Sequence, residues 1–497
     1  MSSKRILGSG SGAMLAVAAL AFAGCERSPV QPSPRGLAAN ATAAAAGNLF
    51  PAADPSGTVA TYSTSGALDL GNPFFQSLGT NGRSCGSCHL IENGLGLSAA
   101  SVQARFASSG GRDPLFAAFD GANCPTAPPG SGADAHSLLI NNGLIRVGMT
   151  VPGTAQFTIG VVHDPYQCAL VVDPQSGPTA SMYRRPLPST NLGFLSTVMF
   201  DGRETIAPLN NPETHAANLR ADLSHQAVDA TLGHAQAAVA PTSEQVAQIV
   251  DFELALFTAQ RSDDAAGVLQ AQGANGGPRE LVGQPFFPGI NDPLGGNPAG
   301  TPFNSDAFTI FRPWLDLPSA DQSPYTQARQ AVARGEEIFG THPLLITGVR
   351  GLNDALNLPV INGTCTTCHD SPNVGNHSLP VPLDIGTSHV LQYEQDPNIR
   401  AALAQLSTPD LPVFEIGCAG SPVVFTSDPG RALVTGKCGD VNRIKGPILR
   451  GLAARAPYFH NGAGATLNQV VAFYNLRFQM GLTAQEQADL VAFLKSL

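Results

Sequence analysis

Two short motifs constrain this chain more than anything else in it: "CGSCH" at 85–89 and "CTTCH" at 365–369. Two thiols separated by two residues fall on one helical turn, where both can add to the vinyl groups of a haem. The adjacent histidine then reaches the iron. A chain that carries this spacing twice must build two places for a flat apolar macrocycle. Cys85, Cys88 and His89 serve one, with Cys365, Cys368 and His369 at the other. A zinc site assembled from both CxxC pairs is the competing arrangement. The histidine fused to each pair and the wide separation between the pairs count against it.

The other cysteines depend on where the chain goes. Lys4 and Arg5 precede an apolar run from Met14 to Ala23, the pattern of an export signal over residues 1–25. The run is too short to be a permanent membrane span. Cleavage after "AFA" (Ala21–Ala23) gives a soluble periplasmic protein, whereas "FAGC" resembles a lipobox that places lipid on Cys25 and the chain at the outer membrane. In an oxidising compartment the remaining four cysteines are expected as local disulfides, Cys124–Cys168 and Cys418–Cys438.

Residues 26–60 are rich in Pro, Ala and Ser and read as a flexible tether. An N-terminal haem domain with insertions is expected over 61–325 and a second haem domain over 326–497. Charged residues make up only 13% and the net charge is −10, which argues against a nucleic-acid partner. Apolar periodicity predicts helices in "TSEQVAQIVDFELALFTAQ", "ARQAVARGEEIF" and the C-terminal "DLVAFLKSL". Thr242/Gln245 and Thr483/Glu486 are set as capping boxes. With no convincing set of alternating strands, the expected class is mainly α: two cytochrome c-like domains with long loops and insertions.

The stretch "RIKGPILRGLAARAPYFHNGAGATLNQVVAFYN" resembles a run in the bacterial dihaem cytochrome c peroxidases and their relative MauG, with Pro-Tyr-Phe-His at its centre. "RRPLPSTNLGFLSTVMFDGRE" is similar to the segment of that family ending in Trp-Asp-Gly-Arg, and "LSHQAVDATLGHAQA" to its Leu-Glu-Glu-Gln-Ala region. The resemblance covers about 70 to 497. It implies two covalent haem c groups, hydrogen peroxide reacting at the His89 haem, and electrons passing through the His369 haem from a small redox protein or another donor.

The resemblance also assigns residues. The sixth ligand of the second haem lies fourteen residues after the histidine of Pro-Tyr-Phe-His; it is Met in the peroxidases and Tyr in MauG. Counted from His460 this is Tyr474, while Met480 is out of register. Gln226 matches the distal Gln. Gln236 stands where the acid–base Glu is expected, so His234 is the candidate acid–base residue, with His225 as a neighbour. No histidine occupies the segment "DPQSGPTAS", where the peroxidases carry one that blocks the first haem. Phe200 replaces the Trp between the haems. The calcium positions fall at Arg185 and Arg455, two cations where calcium needs oxygen ligands. A non-enzymatic dihaem electron carrier and a MauG-like protein or dihaem oxygenase acting on a protein or organic substrate are the alternative functions.

Overall fold

The computed structural model of the chain describes residues 47–497, apart from 129, 175–176 and 319–322. The export signal, Cys25 and the start of the tether therefore lie outside the described residues. The end of the stretch read as a tether is a β-hairpin. β1 (Leu49–Asp54) and β2 (Gly57–Ser63) pair antiparallel around an Asx turn, in which Ser56 N donates to Asp54 Oδ1 at 2.8 Å. β-Branched Thr58, Val59 and Thr61 suit β2 to this state.

β2 pairs in turn with β7 (Leu256–Asp263), and β8 (Gly267–Val268) closes a sheet of order β1-β2-β7-β8. This corrects one expected helix. The Thr242/Gln245 capping box starts it as anticipated, but it ends at Leu254, and "LFTAQ" continues as strand because Ala60 and its neighbours offer an open edge to Ala259.

Three more small antiparallel sheets follow. β3 (Ile145–Thr150), β6 (Gly177–Arg184) and β5 (Leu170–Asp173) form one, in the order β3-β6-β5. β4 (Phe157–His163) pairs with β11 (Val413–Cys418), which carries β12 (Val424–Thr426) on its other edge. β9 (Leu344–Thr347) and β10 (Val360–Gly363) make a hairpin. The fold is thus mixed α/β, 33% helix and 16% strand, and not mainly α. The strands are short, and β4 finds its partner far away in sequence, so local alternation carries little of their signal.

The Cys418–Cys438 disulfide is present. Cys124 and Cys168 are not bonded: Cys168 Sγ donates to Asn123 O at 3.5 Å, and Cys124 Sγ lies 3.2 Å from Thr126 Oγ1.

One apolar core gathers Phe74, Phe194, Leu195, Leu219, Leu223 and Val250 beneath the helices His215–Gly233 and Ser243–Leu254. A second lies beneath Pro324–Thr341, Leu467–Arg477 and Ala484–Lys495, and takes in Phe311 and Trp314 from before residue 325. The helices Pro324–Thr341 and Ala484–Lys495 cross so closely that a Cβ at Gly335 would lie 2.0 Å from Asp489 O. Arg334 clamps the same crossing with a bidentate pair to Asp489 (2.7 and 2.9 Å). Gly335→Ala should therefore destabilise the protein by about 1–3 kcal/mol, the usual cost of forcing atoms into a packed contact. Denaturant unfolding measures it, and an unchanged midpoint would refute the close crossing.

Candidate active site: two histidine-walled cavities

Both CxxCH motifs fold into the same local structure. Cys85–Ser87 is a single 3-10 turn in which Ser84 and Ser87 cap one another, and His89 N donates to Cys85 O at 3.0 Å. Cys365–Thr367 repeats this with Thr364 and Thr367, and His369 N donates to Cys365 O at 3.1 Å. In each case the histidine Nδ1 meets a carbonyl six residues on: Leu95 O at 3.2 Å and Gly375 O at 2.6 Å. A carbonyl only accepts, so Nδ1 carries the hydrogen and Nε2 keeps a free lone pair. That is the arrangement that orients a metal-binding imidazole. Burial pushes the His89 imidazole down to about 4 and the Cys85, Cys365 and Cys368 thiols up to about 12, so the ligand groups stand neutral.

Cys85, Cys88 and His89 line a cavity of about 1470 Å³ whose walls include Leu192, Leu195, Val198, Leu223 and Ile249. Cys365, Cys368 and His369 line a second, of about 1400 Å³, among Leu344, Ile346, Leu383, Val471 and Leu494. Two thiols and an available imidazole on the wall of a large apolar cavity fit the haem c that the spacing predicts, twice. Tyr474, on the helix Leu467–Arg477, lines the second cavity and packs against Phe473 and Phe478. Met480, set aside on register, lines it too, as do Tyr458 and His460.

The cavities share a wall. Phe200 and Lys445 line both. The Phe200 and His460 rings meet edge-on with centroids 6.0 Å apart. Lys445 N donates to Phe200 O at 2.8 Å and its Nζ to Thr197 O at 2.5 Å, while burial lowers the ammonium to about 7. Lys445 has no role in the reading of the sequence. A lysine inside the apolar run "IKGPIL" was the available signal.

The two cavities differ in what faces them. Gln226 and His234 both line the first. His225 is turned away to Glu204, at 2.8 Å. His234 Nδ1 lies 2.5 Å from Asp120 Oδ2, and Asp120 is itself paired with Arg83, the residue two before Cys85. Burial and the guanidinia of Arg83 and Arg203 push the His234 imidazole down to about 4. At neutral pH it is neutral, donates from Nδ1 to the carboxylate, and keeps Nε2 as a base. Asp120 was not foreseen; nothing in "FAAFDGANC" marks it. Glu253 also lines this cavity, with Oε2 buried and unpartnered, and burial raises its carboxyl to about 7. The positions expected to hold calcium hold the buried guanidinia of Arg185 and Arg455, and that donor set does not fit the ion.

Glu253 carries a pH signature. Its folded pKa lies above the ordinary 4.5, so between about 4.5 and 7 the folded chain holds a proton that the unfolded chain releases. Its contribution therefore declines as pH rises through that window, by on the order of 3 kcal/mol in full. Glu253→Gln should gain stability relative to the parent as pH rises from about 5 to 8. Parallel slopes in thermal unfolding across that range would rule this out.

No family model matches the chain. Several curated relatives match parts of it. The cytochrome-c peroxidase IdrP2 of Denitromonas iodatirespirans is 32% identical over 146 residues, 27% of this chain and 36% of the relative. The cytochrome c551 peroxidase of Nitrosomonas europaea is 41% identical over 69 residues, covering 14% and 21%. The cytochrome c peroxidase Ccp of Escherichia coli is 43% identical over 76 residues, covering 15% and 16%. The chain thus spans about a third or less of the length of these relatives. Over those stretches it is similar to bacterial proteins named cytochrome-c peroxidases.

Proposed function

We propose that this chain is an exported dihaem c-type peroxidase that reduces hydrogen peroxide in the first cavity, with electrons relayed through the second. The observation that carries the reading is the asymmetry between two otherwise matched cavities: the first is faced by a glutamine and by a histidine hydrogen-bonded to a carboxylate at 2.5 Å, whereas His377 and His460 on the second stand 3.7 Å from Asp370 and Asp428 and no glutamine lines it among the described residues. Likeness to relatives named cytochrome-c peroxidases supports it further. Among the described residues no helix is long and apolar enough to cross a membrane.

Haem c, tethered through Cys85 and Cys88 with His89 as its proximal ligand, would supply a redox-active iron to that cavity. The chain's residues then handle protons. Peroxide reduction consumes two electrons and two protons, and breaks one O–O bond to give two waters. The His234 Nε2 takes a proton from one peroxide oxygen and returns it to the departing oxygen, which leaves as water. Asp120 is the positioning residue: it holds the imidazole in the tautomer that leaves Nε2 free and stabilises its transient positive charge. The Gln226 amide orients the bound peroxide. A haem in the second cavity would supply a route for the two electrons from an external donor, and Phe200 and Lys445 form the wall that separates it from the first.

A haem in the second cavity would be held by Cys365, Cys368 and His369, and Tyr474 on the same wall is our candidate for a further residue holding its iron, which would make the chain MauG-like. An anionic oxygen ligand lowers the potential of that centre, where Met would raise it.

Two experiments test these roles. His234→Ala should lower kcat/KM for peroxide by roughly 10²- to 10⁴-fold, and Asp120→Asn should lower it while shifting its pH profile; unchanged turnover in His234→Ala would eliminate the dyad. Separately, Tyr474→Phe should change the ferric EPR and visible spectrum of one haem, and Met480→Leu should leave both alone. The reverse pattern makes Met480 the ligand. Two low-spin haems indifferent to peroxide would identify an electron carrier instead.

A further inference from the structure

Where the two halves of the chain meet, four main-chain carbonyls converge on one guanidinium. Arg185, immediately after β6, donates from Nη1 to Asn142 O (2.9 Å) and Gly143 O (3.3 Å). Its Nη2 donates to Arg455 O at 2.8 Å and to Leu97 O. Its own main-chain N donates to His460 O at 2.7 Å. These acceptors come from three separate stretches of chain. One of them continues into Tyr458 and His460, which line the second cavity, while Arg185 itself lines the first.

The side chain is 6% exposed, its recorded hydrogen-bond acceptors are all carbonyl oxygens, and among the described residues no carboxylate pairs with it. A second cation, Arg455, lies close enough to disfavour its charge and is 8% exposed, with Nη1 unpartnered. Buried charge without a counter-ion is costly unless the surroundings supply dipoles in its place. Four carbonyl oxygens do so here. Convergent carbonyl oxygens are also the first requirement of a calcium site, which takes six to eight oxygens and usually carboxylates. The centre of this cage is filled: a Cβ on Gly143 would fall 1.8 Å from Arg185 Nη1.

We infer that Arg185 is a built-in cation that gathers these carbonyls as a bound divalent metal would, so the junction between the two cavities is independent of calcium. A guanidinium fixed to the chain cannot be removed by dilution or chelation, and the relative placement of the cavity walls is set once the chain folds. This goes beyond the proposed peroxidase activity and holds whether or not the protein turns over peroxide.

The test uses the purified holoprotein. After dialysis against EGTA, its thermal midpoint and visible spectrum should equal those in millimolar calcium chloride, with sub-stoichiometric calcium by elemental analysis. One retained calcium per chain, or a midpoint that drops in EGTA, would overturn the inference. Arg185→Asn removes the cation and adds a carbonyl oxygen. Its midpoint should fall in EGTA and recover in part with calcium; a parental midpoint in EGTA would show that the guanidinium holds nothing together. Should that variant not fold in either buffer, Arg185→Lys decides. Its single ammonium cannot reach all four carbonyls, so a lowered, calcium-indifferent midpoint supports the inference and an unchanged one refutes it.

Discussion

The structure depends on a buried ion triad. Arg184 reaches Asp201 at 2.5 Å with one nitrogen and Asp428 at 2.6 and 2.9 Å with the other two. All three side chains are almost wholly buried. Arg184 ends β6, Asp201 follows Phe200, and Asp428 belongs to the second half of the chain. Desolvating these charges is expensive, and only this bidentate geometry repays it; losing one partner from such a set costs about 3–5 kcal/mol. The pull of the two carboxylates holds the guanidinium firmly charged, against the burial that lowers its neighbour Arg185. Phe200 is thereby seated beside Lys445 as the partition between the cavities.

Around that partition the chain builds two similar pockets with different prospects. The 3-10 turn, the mutual cap and the Nδ1-to-carbonyl bond recur at both CxxCH motifs, because each follows from the local spacing of a few residues. The differences come from segments far off in sequence. Asp120 and His234 are contributed by separate elements, and their 2.5 Å contact is the pair on which the proposed proton transfer in one cavity rests. Tyr474 and Met480, both on the wall of the other, bring a phenol and a thioether to a cavity whose histidines, His377 and His460, stand 3.7 Å from their carboxylates. A division between proton-coupled chemistry and electron storage would follow from that placement.

Much of the local structure was legible beforehand. Capping boxes at Thr242/Gln245 and Thr483/Glu486 start helices where expected, since a cap needs only residues three apart. The expected mainly α class failed because the strands are short and their pairing is remote: β4 meets β11, and β2 meets β7, across long stretches of other structure. "LFTAQ" has the apolar content of a helix end, yet the free edge of β2 draws it into a sheet. Cys418 and Cys438 were paired correctly; Cys124 and Cys168 are free thiols that share a hydrogen bond and also engage nearby oxygens.

By itself the sequence determined that this chain carries two thiol–thiol–histidine units and which positions open several helices. These are properties of spacing, and spacing survives unfolding. Gln226, His234 and Tyr474 came instead from the resemblance to the dihaem peroxidases and MauG. Only the tertiary structure decided that Asp120 supports His234, that Phe200 and Lys445 stand between the cavities, and that Arg185 fills a cage of carbonyls. The physical reason is the same in each case. A buried charge or imidazole is defined by the partners that replace its water, and those partners arrive from parts of the chain that no local pattern connects.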